Sequence, residues 1–425
     1  MPPASLLTQT PTQTSGALSL DEALRLAGVA ASDYTQAQLN ERIAAEDVRQ
    51  AQAAFLPRVT SPNAYTYTSP QIGLLPGEPR TQSFIANNAI SEYQSLVNVA
   101  GDVDIAGRLR ATLERNRALL AAAHAGTEVA RRALNQAVVA AYYGLALATA
   151  ERRAAELNLA AAEEFERITD LLLTGGEVAP VDLIRARVQT ITRRDELERA
   201  RADEAVAADS LRTLVGYDFT QPINASDLAI ALPANGEIEQ YTADLIARRP
   251  EFAQFEAERR AAEQEVRVAR AERLPQLSYS VSGGFDSDSA QPVRIKEHTG
   301  VAAELSLSIP IFDFGASRSR ERQAQLRAQL AETERAQALR AFAQQFYTAR
   351  TQAASAATRI RLAGAGLAQA QSNLDASIAR YRAGEAQIIE VTDALTTLAA
   401  QRTALYQAIF DYQTALARLR QAAGR

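Results

Sequence analysis

The stretch VAAELSLSIPIFDFG, Val301 to Gly315, changes character at its middle and decides the fold. Val301, Ala303, Leu305, Leu307 and Ile309 alternate with Ala302, Glu304, Ser306 and Ser308. That is the period of a strand with one apolar and one polar face. Pro310 closes the alternation, and from about Ser317 to Arg382 there is no proline and little glycine. This run predicts one helix of about 65 residues, about 100 Å long at 1.5 Å per residue. A strand that opens into such a helix does not fit inside an ordinary compact domain.

Upstream, Leu277, Tyr279 and Val281 alternate with Ser278, Ser280 and Ser282. The pattern predicts strands over about 276–285 and 300–310, joined by the polar loop Asp286 to Thr299. A helix from about Ile238 to Leu274 precedes them, and Pro275 ends it. Downstream, a turn at 383–387 leads to a final helix. There Leu398, Leu405, Tyr412 and Leu419 recur every seven residues, with Leu395, Ile409 and Leu416 in the second seam and Arg402 interrupting it. This is coiled-coil spacing, so the long helices are expected to pair side by side.

The whole arrangement occurs twice. Gly176-Glu177 to Asp182 matches Gly384-Glu385 to Glu390 at an offset of 208 residues, and Leu211 to Gly216 matches Leu419 to Gly424 at the same offset. Leu56-Pro57 corresponds to Leu274-Pro275, and Asp104 before Gly107 to Asp313 before Gly315. The first repeat, 18–216, is expected to hold a helix from about Leu20 to Phe55, with Ser19 as N-cap and Glu22 at the capping-box position. Strands over about 58–68 and 84–99 follow, where Tyr65 and Tyr67 alternate with Thr66 and Thr68, and Tyr93, Val97 and Val99 with Glu92, Gln94 and Asn98. A Pro/Gly-rich loop, Ser69 to Arg80, separates them. A long helix from about Arg108 to Leu173, a tip turn at 174–180 and a further helix complete the copy. Residues 1–17 are read as a disordered N-terminal segment, 217–236 as a connector and 237–425 as the second repeat.

Several functions are excluded by composition. The net charge of −5 gives no footprint for nucleic acid. There is no cysteine, hence no disulfide, thiol nucleophile or Cys-ligated metal. His124 and His298 stand far apart without partners, so neither metal hydrolysis nor Ser-His catalysis is expected. No cofactor, metal or enzymatic activity is expected. The longest apolar run, Val138 to Ala150, falls short of the ~20 residues of a membrane helix and reads as buried helix. Met1 to Gly16 is Thr/Gln/Pro-rich, without the basic start and apolar stretch of a leader peptide.

Four alternating strands cannot close a membrane barrel alone, since bacterial barrels begin at about eight. If they span lipid, two or three chains must each contribute four, with serine toward water and Leu, Val, Tyr and Ile toward lipid. A soluble antiparallel sheet with one wet face, in a coiled-coil scaffold, is the alternative. It gives no reason for two ~100 Å helices.

The order helix, strand pair, long helix, twice over from Leu18 to Gly424, resembles the outer-membrane efflux protein (TolC) family. Ile309-Pro310-Ile311-Phe312-Asp313-Phe314-Gly315 is similar to its second strand-to-helix junction. Tyr381-Arg382-Ala383-Gly384-Glu385 with Ile389-Glu390-Val391-Thr392-Asp393-Ala394 is similar to its periplasmic tip. The first junction, Gly101-Asp102-Val103-Asp104, lacks the second's proline, and no cysteine is present for the lipid anchor some members carry. The resemblance implies a mainly helical homotrimer, an α-barrel and β-barrel duct anchored in outer-membrane lipid. It would extend into the periplasm as the exit of a tripartite efflux pump or type I secretion system. Partners would be a periplasmic adaptor and an inner-membrane pump, which selects the cargo. The connector, Tyr217 to Gly236, would join an equatorial belt.

Glu390 and Asp393, three apart, share one side of the last helix near its start. Acidic residues there suit the helix macrodipole. By resemblance they form an acidic ring at the gate, six carboxylates in a trimer, favouring cations. Tyr381 and Asp182 match positions that tie neighbouring tip helices when the gate is closed. The positions of a second tie hold Ala386 and Val181, so fewer restraints are expected. The turns at Gly175, Gly176, Glu177, Gly384 and Glu385 are read as helix-breaking glycines and their neighbours, and by resemblance as the adaptor contact.

Overall fold

A computed structural model describes residues 18–69, 90–226, 228, 233–234 and 236–424. The expected disordered segment 1–17, the loop beyond Ser69, the start of the second strand and part of the connector lie outside the described residues. The chain forms two compact units. One comprises residues up to Leu39, Gly126–Phe252 and those from Gln337 onward; the other comprises Asn40–Ala125 and Ala253–Ala336.

The second unit holds the sheet: β1 (Arg58–Thr60), β2 (Asn63–Tyr67), β3 (Ser91–Val103), β4 (Gln276–Ser287) and β5 (Thr299–Ser308). All pairings are antiparallel, in the order β1-β3-β4-β5, with β2 also on β3. The expected first strand is broken at Ser61-Pro62, because proline has no N–H for the ladder. Its two parts keep one register, Thr60 opposite Asn98 and Asn63 opposite Ser95. β3 runs past the expected end at 99 and through the first junction to Val103, opposite Leu277. No proline stops it there, and Gly101 leaves room for the Tyr279 ring, whose hydroxyl would stand 2.8 Å from a Cβ at that position. β5 ends two residues before Pro310, and the loop before it holds a short helix, α6 (Pro292–Glu297).

The expected first helix is two, α1 (Leu20–Ala27) and α2 (Asp33–Ala53). Ser19 Oγ accepts the Glu22 N–H at the start (3.2 Å). After Gly28, the Thr35 hydroxyl accepts the Ser32 N–H (3.3 Å) and donates to the Ala30 carbonyl (2.8 Å), an alternative to helical bonding. In the second repeat the helix starts not at Ile238 but at Pro250, as α5 (Pro250–Ala271). Arg249 is extended before the proline, and residues Ala243–Arg248 form a 3-10 turn.

The long helices are α3 (Arg108–Thr174) and α7 (Ala316–Arg382), each continuous. Their starts explain the repeated Asp-Gly spacing. Asp104 accepts the N–H groups of Leu109 and Arg110 (2.9 and 3.0 Å), and Asp313 those of Gly315 and Ser317 (3.1 and 2.7 Å).

α4 (Pro180–Val215) and α8 (Ile388–Ala422) complete the first unit. The expected seam of α8 is buried from Leu395 to Leu419, with Leu405 only half-buried. Arg402 bridges outward from it, Nη1 to Asn158 Oδ1 at 2.7 Å. By length and composition, α3 holds a window apolar enough to cross a membrane. Val138, Tyr142 and Leu145 are nevertheless packed in a core with Leu211 and Val215 of α4.

Candidate functional site: the two sheet faces and the hairpin turns

Cross-strand register turns alternation into two surfaces. Asp102, Ser278 and Ser306 form one rung, Arg58, Ala100, Ser280 and Glu304 the next, and Thr60, Asn98, Ser282 and Ala302 a third. Between them lie the rungs of the other face: Val103, Leu277 and Leu307; Gly101, Tyr279 and Leu305; Val59, Val99, Val281 and Ala303. One face is therefore polar from strand to strand and the other apolar. The apolar face is open: Val301 is 79% and Leu305 70% exposed. Just past β5, Phe312 and Phe314 are also exposed, their rings 4.7 Å apart. A contiguous open apolar surface of this kind marks a contact with lipid or protein.

The turns lie in the first unit, each between a long helix and its return helix. α3 ends with Gly176 at φ 76°, where the N–H of Gly176 donates to Leu173 O and that of Glu177 to Leu172 O, both at 2.9 Å. α7 ends with Gly384 at φ 73°, where Gly384 N–H donates to Tyr381 O (3.1 Å) and Glu385 N–H to Arg380 O (2.9 Å). The two are the same paired-bond cap, and the left-handed residue it needs falls on glycine both times. Gly175, Gly176, Glu177, Gly384 and Glu385 are all exposed.

Behind the turns a core gathers Phe165, Ala186, Leu374, Tyr381, Ile388, Val391, Leu395 and Leu398. Phe165 is fully buried, 5.3 Å from the Tyr381 ring. Within the chain, Tyr381 and Asp182 make no hydrogen bond to each other. Asp182 lies 3.7 Å from Arg185, while Tyr381 Oη is buried with no hydrogen-bond partner. The neighbouring Thr169 hydroxyl donates to the Phe165 carbonyl (2.9 Å). Burial raises the Tyr381 phenol above its ordinary value; the adjacent Thr169 hydroxyl opposes this and the nearby Asp182 carboxylate adds to it.

Glu390 and Asp393 do share one side of α8, in different circumstances. Glu390 belongs to a capping box with Gln387 and pairs with Arg380 at 2.9 Å. The Asp393 side chain is exposed and, among the described residues, has no hydrogen-bond or ion-pair partner. Sequence reasoning passed over Arg380 because its partner lies ten residues away across a turn, outside any helical spacing. Among the described residues no group of acidic, His or Cys side chains could hold a metal ion.

The outer membrane efflux protein model matches residues 20–217 and 242–425, nearly the whole chain. The pyoverdine export outer membrane protein OpmQ of Pseudomonas aeruginosa is 27% identical over 92% of this chain and 82% of its own. The cation efflux system protein CusC of Escherichia coli K12 is 25% identical over 86% and 79%. Among solved structures, a crystal structure of CusC covers 97% of this chain and 95% of its own at a TM-score of 0.82 and 20% identity. VceC of Vibrio cholerae gives 0.82 at 18% identity, over 95% and 96%. The soluble-scaffold alternative is set aside by these matches. The chain belongs to the outer membrane efflux protein family: it is an outer-membrane exit channel for efflux, not an enzyme.

Proposed function

We propose that three copies close one barrel, each giving four strands, and that their helices continue as a tunnel into the periplasm. The alternating rungs carry this reading. Four strands with a polar and an apolar face, bounded by the unpaired edges of β1 and β5, need neighbours before they can enter lipid. Three copies give twelve strands, apolar face to lipid and serine face to the lumen, and two tunnel hairpins each. The residues 217–236 belong to an equatorial belt around that tunnel.

The tip is the constriction. Glu390 and Asp393 supply its acidic groups, and Asp182 and Tyr381 lie where neighbouring hairpins tighten or part. The buried, unpartnered Tyr381 hydroxyl supports a hydrogen bond made in one state of the gate and absent in the other. With Ala386 and Val181 beside them, few ties hold the tip shut. Gly175, Gly176, Glu177, Gly384 and Glu385 form the exposed turns that meet a periplasmic adaptor, which links the duct to an inner-membrane pump. CusC is a cation efflux protein and OpmQ exports pyoverdine; this channel is open in principle to cargo of either kind, and the pump chooses.

The test is conductance. Protein extracted in detergent and added to a planar bilayer should give discrete, cation-selective steps that grow when Glu390 and Asp393 are both replaced by alanine. Well-folded helical protein that never inserts would sink the barrel reading.

A further inference from the structure

The turn of the second hairpin holds a charge pair that the first cannot form. Arg380 sits in the last turn of α7. Its Nη1 donates to Glu390 Oε2 at 2.9 Å and its Nη2 to the Glu385 carbonyl at 3.1 Å. The other carboxylate oxygen, Glu390 Oε1, accepts the Gln387 N–H at 3.2 Å. Both oxygens of Glu390 are thus engaged inside its own hairpin. Asp393, one turn further along α8, is exposed and has no charge partner among the described residues. At the 208-residue offset the first hairpin has Leu172 in place of Arg380 and Ala179 in place of Gln387.

We propose that Arg380 sets the ion preference of the tip by holding Glu390 in the hairpin turn, which leaves Asp393 as the free carboxylate met by a permeating ion. This rests on the reading of the tip as the constriction. A guanidinium and a carboxylate in contact cancel most of each other's field a few ångströms away, whereas a lone carboxylate keeps its full attraction. The planar fork of arginine is what reaches a carboxylate and a carbonyl together; a lysine ammonium is a single point of charge. With side chains 53% and 40% exposed, the pair contributes little to stability. Its effect is on which acid the lumen meets. Three free carboxylates per trimer, rather than six, would then select the ions.

The experiment measures the K⁺/Cl⁻ permeability ratio from reversal potentials under a KCl gradient, with the full chain in planar bilayers. Asp393→Asn removes three carboxylates from the trimer and is expected to lower the ratio about tenfold, the scale of three unit charges several ångströms away in salt water. Arg380→Gln uncovers Glu390 and is expected to raise the ratio by a similar factor. Arg380→Lys keeps the charge and should stay close to the parent. A ratio in Arg380→Gln equal to the parent's, beside a lowered ratio in Asp393→Asn, overturns the proposal while the constriction reading stands. No change in Asp393→Asn overturns the constriction reading itself. If Arg380→Gln fails to assemble, Arg380→Met carries the same expectation and the same overturning result.

Discussion

The two hairpin turns of the first unit share a cap and differ in everything attached to it. Both end a 67-residue helix on a left-handed glycine with the same pair of backbone bonds. The second turn then adds a capping box, a guanidinium across the gap and a buried tyrosine behind it. The first starts its return helix on Pro180, with Ala179 making no side-chain cap. Backbone geometry is thus what the repeat preserves, because the left-handed glycine satisfies the last carbonyls of each long helix. Side-chain chemistry is what diverged: both hairpins keep an acidic residue at the matched position, Asp182 and Glu390, but only Glu390 meets an arginine across its own turn. The two halves are equivalent as scaffolding and unequal in the side chains at their turns.

The two turns rest on one shared core. Phe165 of the first hairpin is fully buried against Tyr381 of the second. Phe165→Ala is expected to cost about 3–5 kcal/mol, seen as a lowered thermal midpoint in detergent, and to loosen both turns together. Loosening of one turn alone would show that they do not share a core. A smaller effect checks the shared cap. Gly176 and Gly384 have φ near 75° with open space where a Cβ would go, so the penalty of alanine is backbone strain alone. Gly176→Ala and Gly384→Ala should each cost about 1 kcal/mol, and equally, in the opening of the turn amides by hydrogen exchange. The smallest effect sharpens the difference. Glu390→Ala removes the carboxylate that accepts the Gln387 N–H, a cap bond of the second turn, and should cost about 0.5–1 kcal/mol locally, while Ala179→Asn should stabilise the first turn by a similar amount. Amide exchange at residues 174–180 and 383–388 reads both.

Much of this architecture was legible because it rests on local rules. The long helices end within a residue of expectation, since glycine stops them and an Asp-Gly pair starts them. The two sheet faces follow from period two. The misreadings come from competition that pattern does not display. The break between α1 and α2 depends on where the Thr35 hydroxyl finds partners. α5 waits for Pro250 although helix-compatible residues precede it. β1 and β2 are parted by one proline that leaves the register intact. At the candidate site, the positions of Glu390 and Asp393 could be read from spacing, but not their unequal standing. That depends on Arg380, which meets Glu390 only after the chain has reversed. The same holds for Arg402, an evident interruption of the seam whose partner Asn158 is 244 residues away.

The free edges of β1 and β5 carry a consequence for the life of the chain before it works. Among the described residues β1, β2 and β5 pair on one side only, which leaves a single copy two rows of backbone groups that hydrocarbon will not accept. Insertion cannot then be the act of one molecule: it must be at least second order in protein, and steeper if three copies must meet. At low expression most chains would wait outside the bilayer with an open apolar sheet, the state most prone to aggregate. Yield of finished channel should therefore rise faster than in proportion to the amount made, and the membrane would hold whole ducts or none.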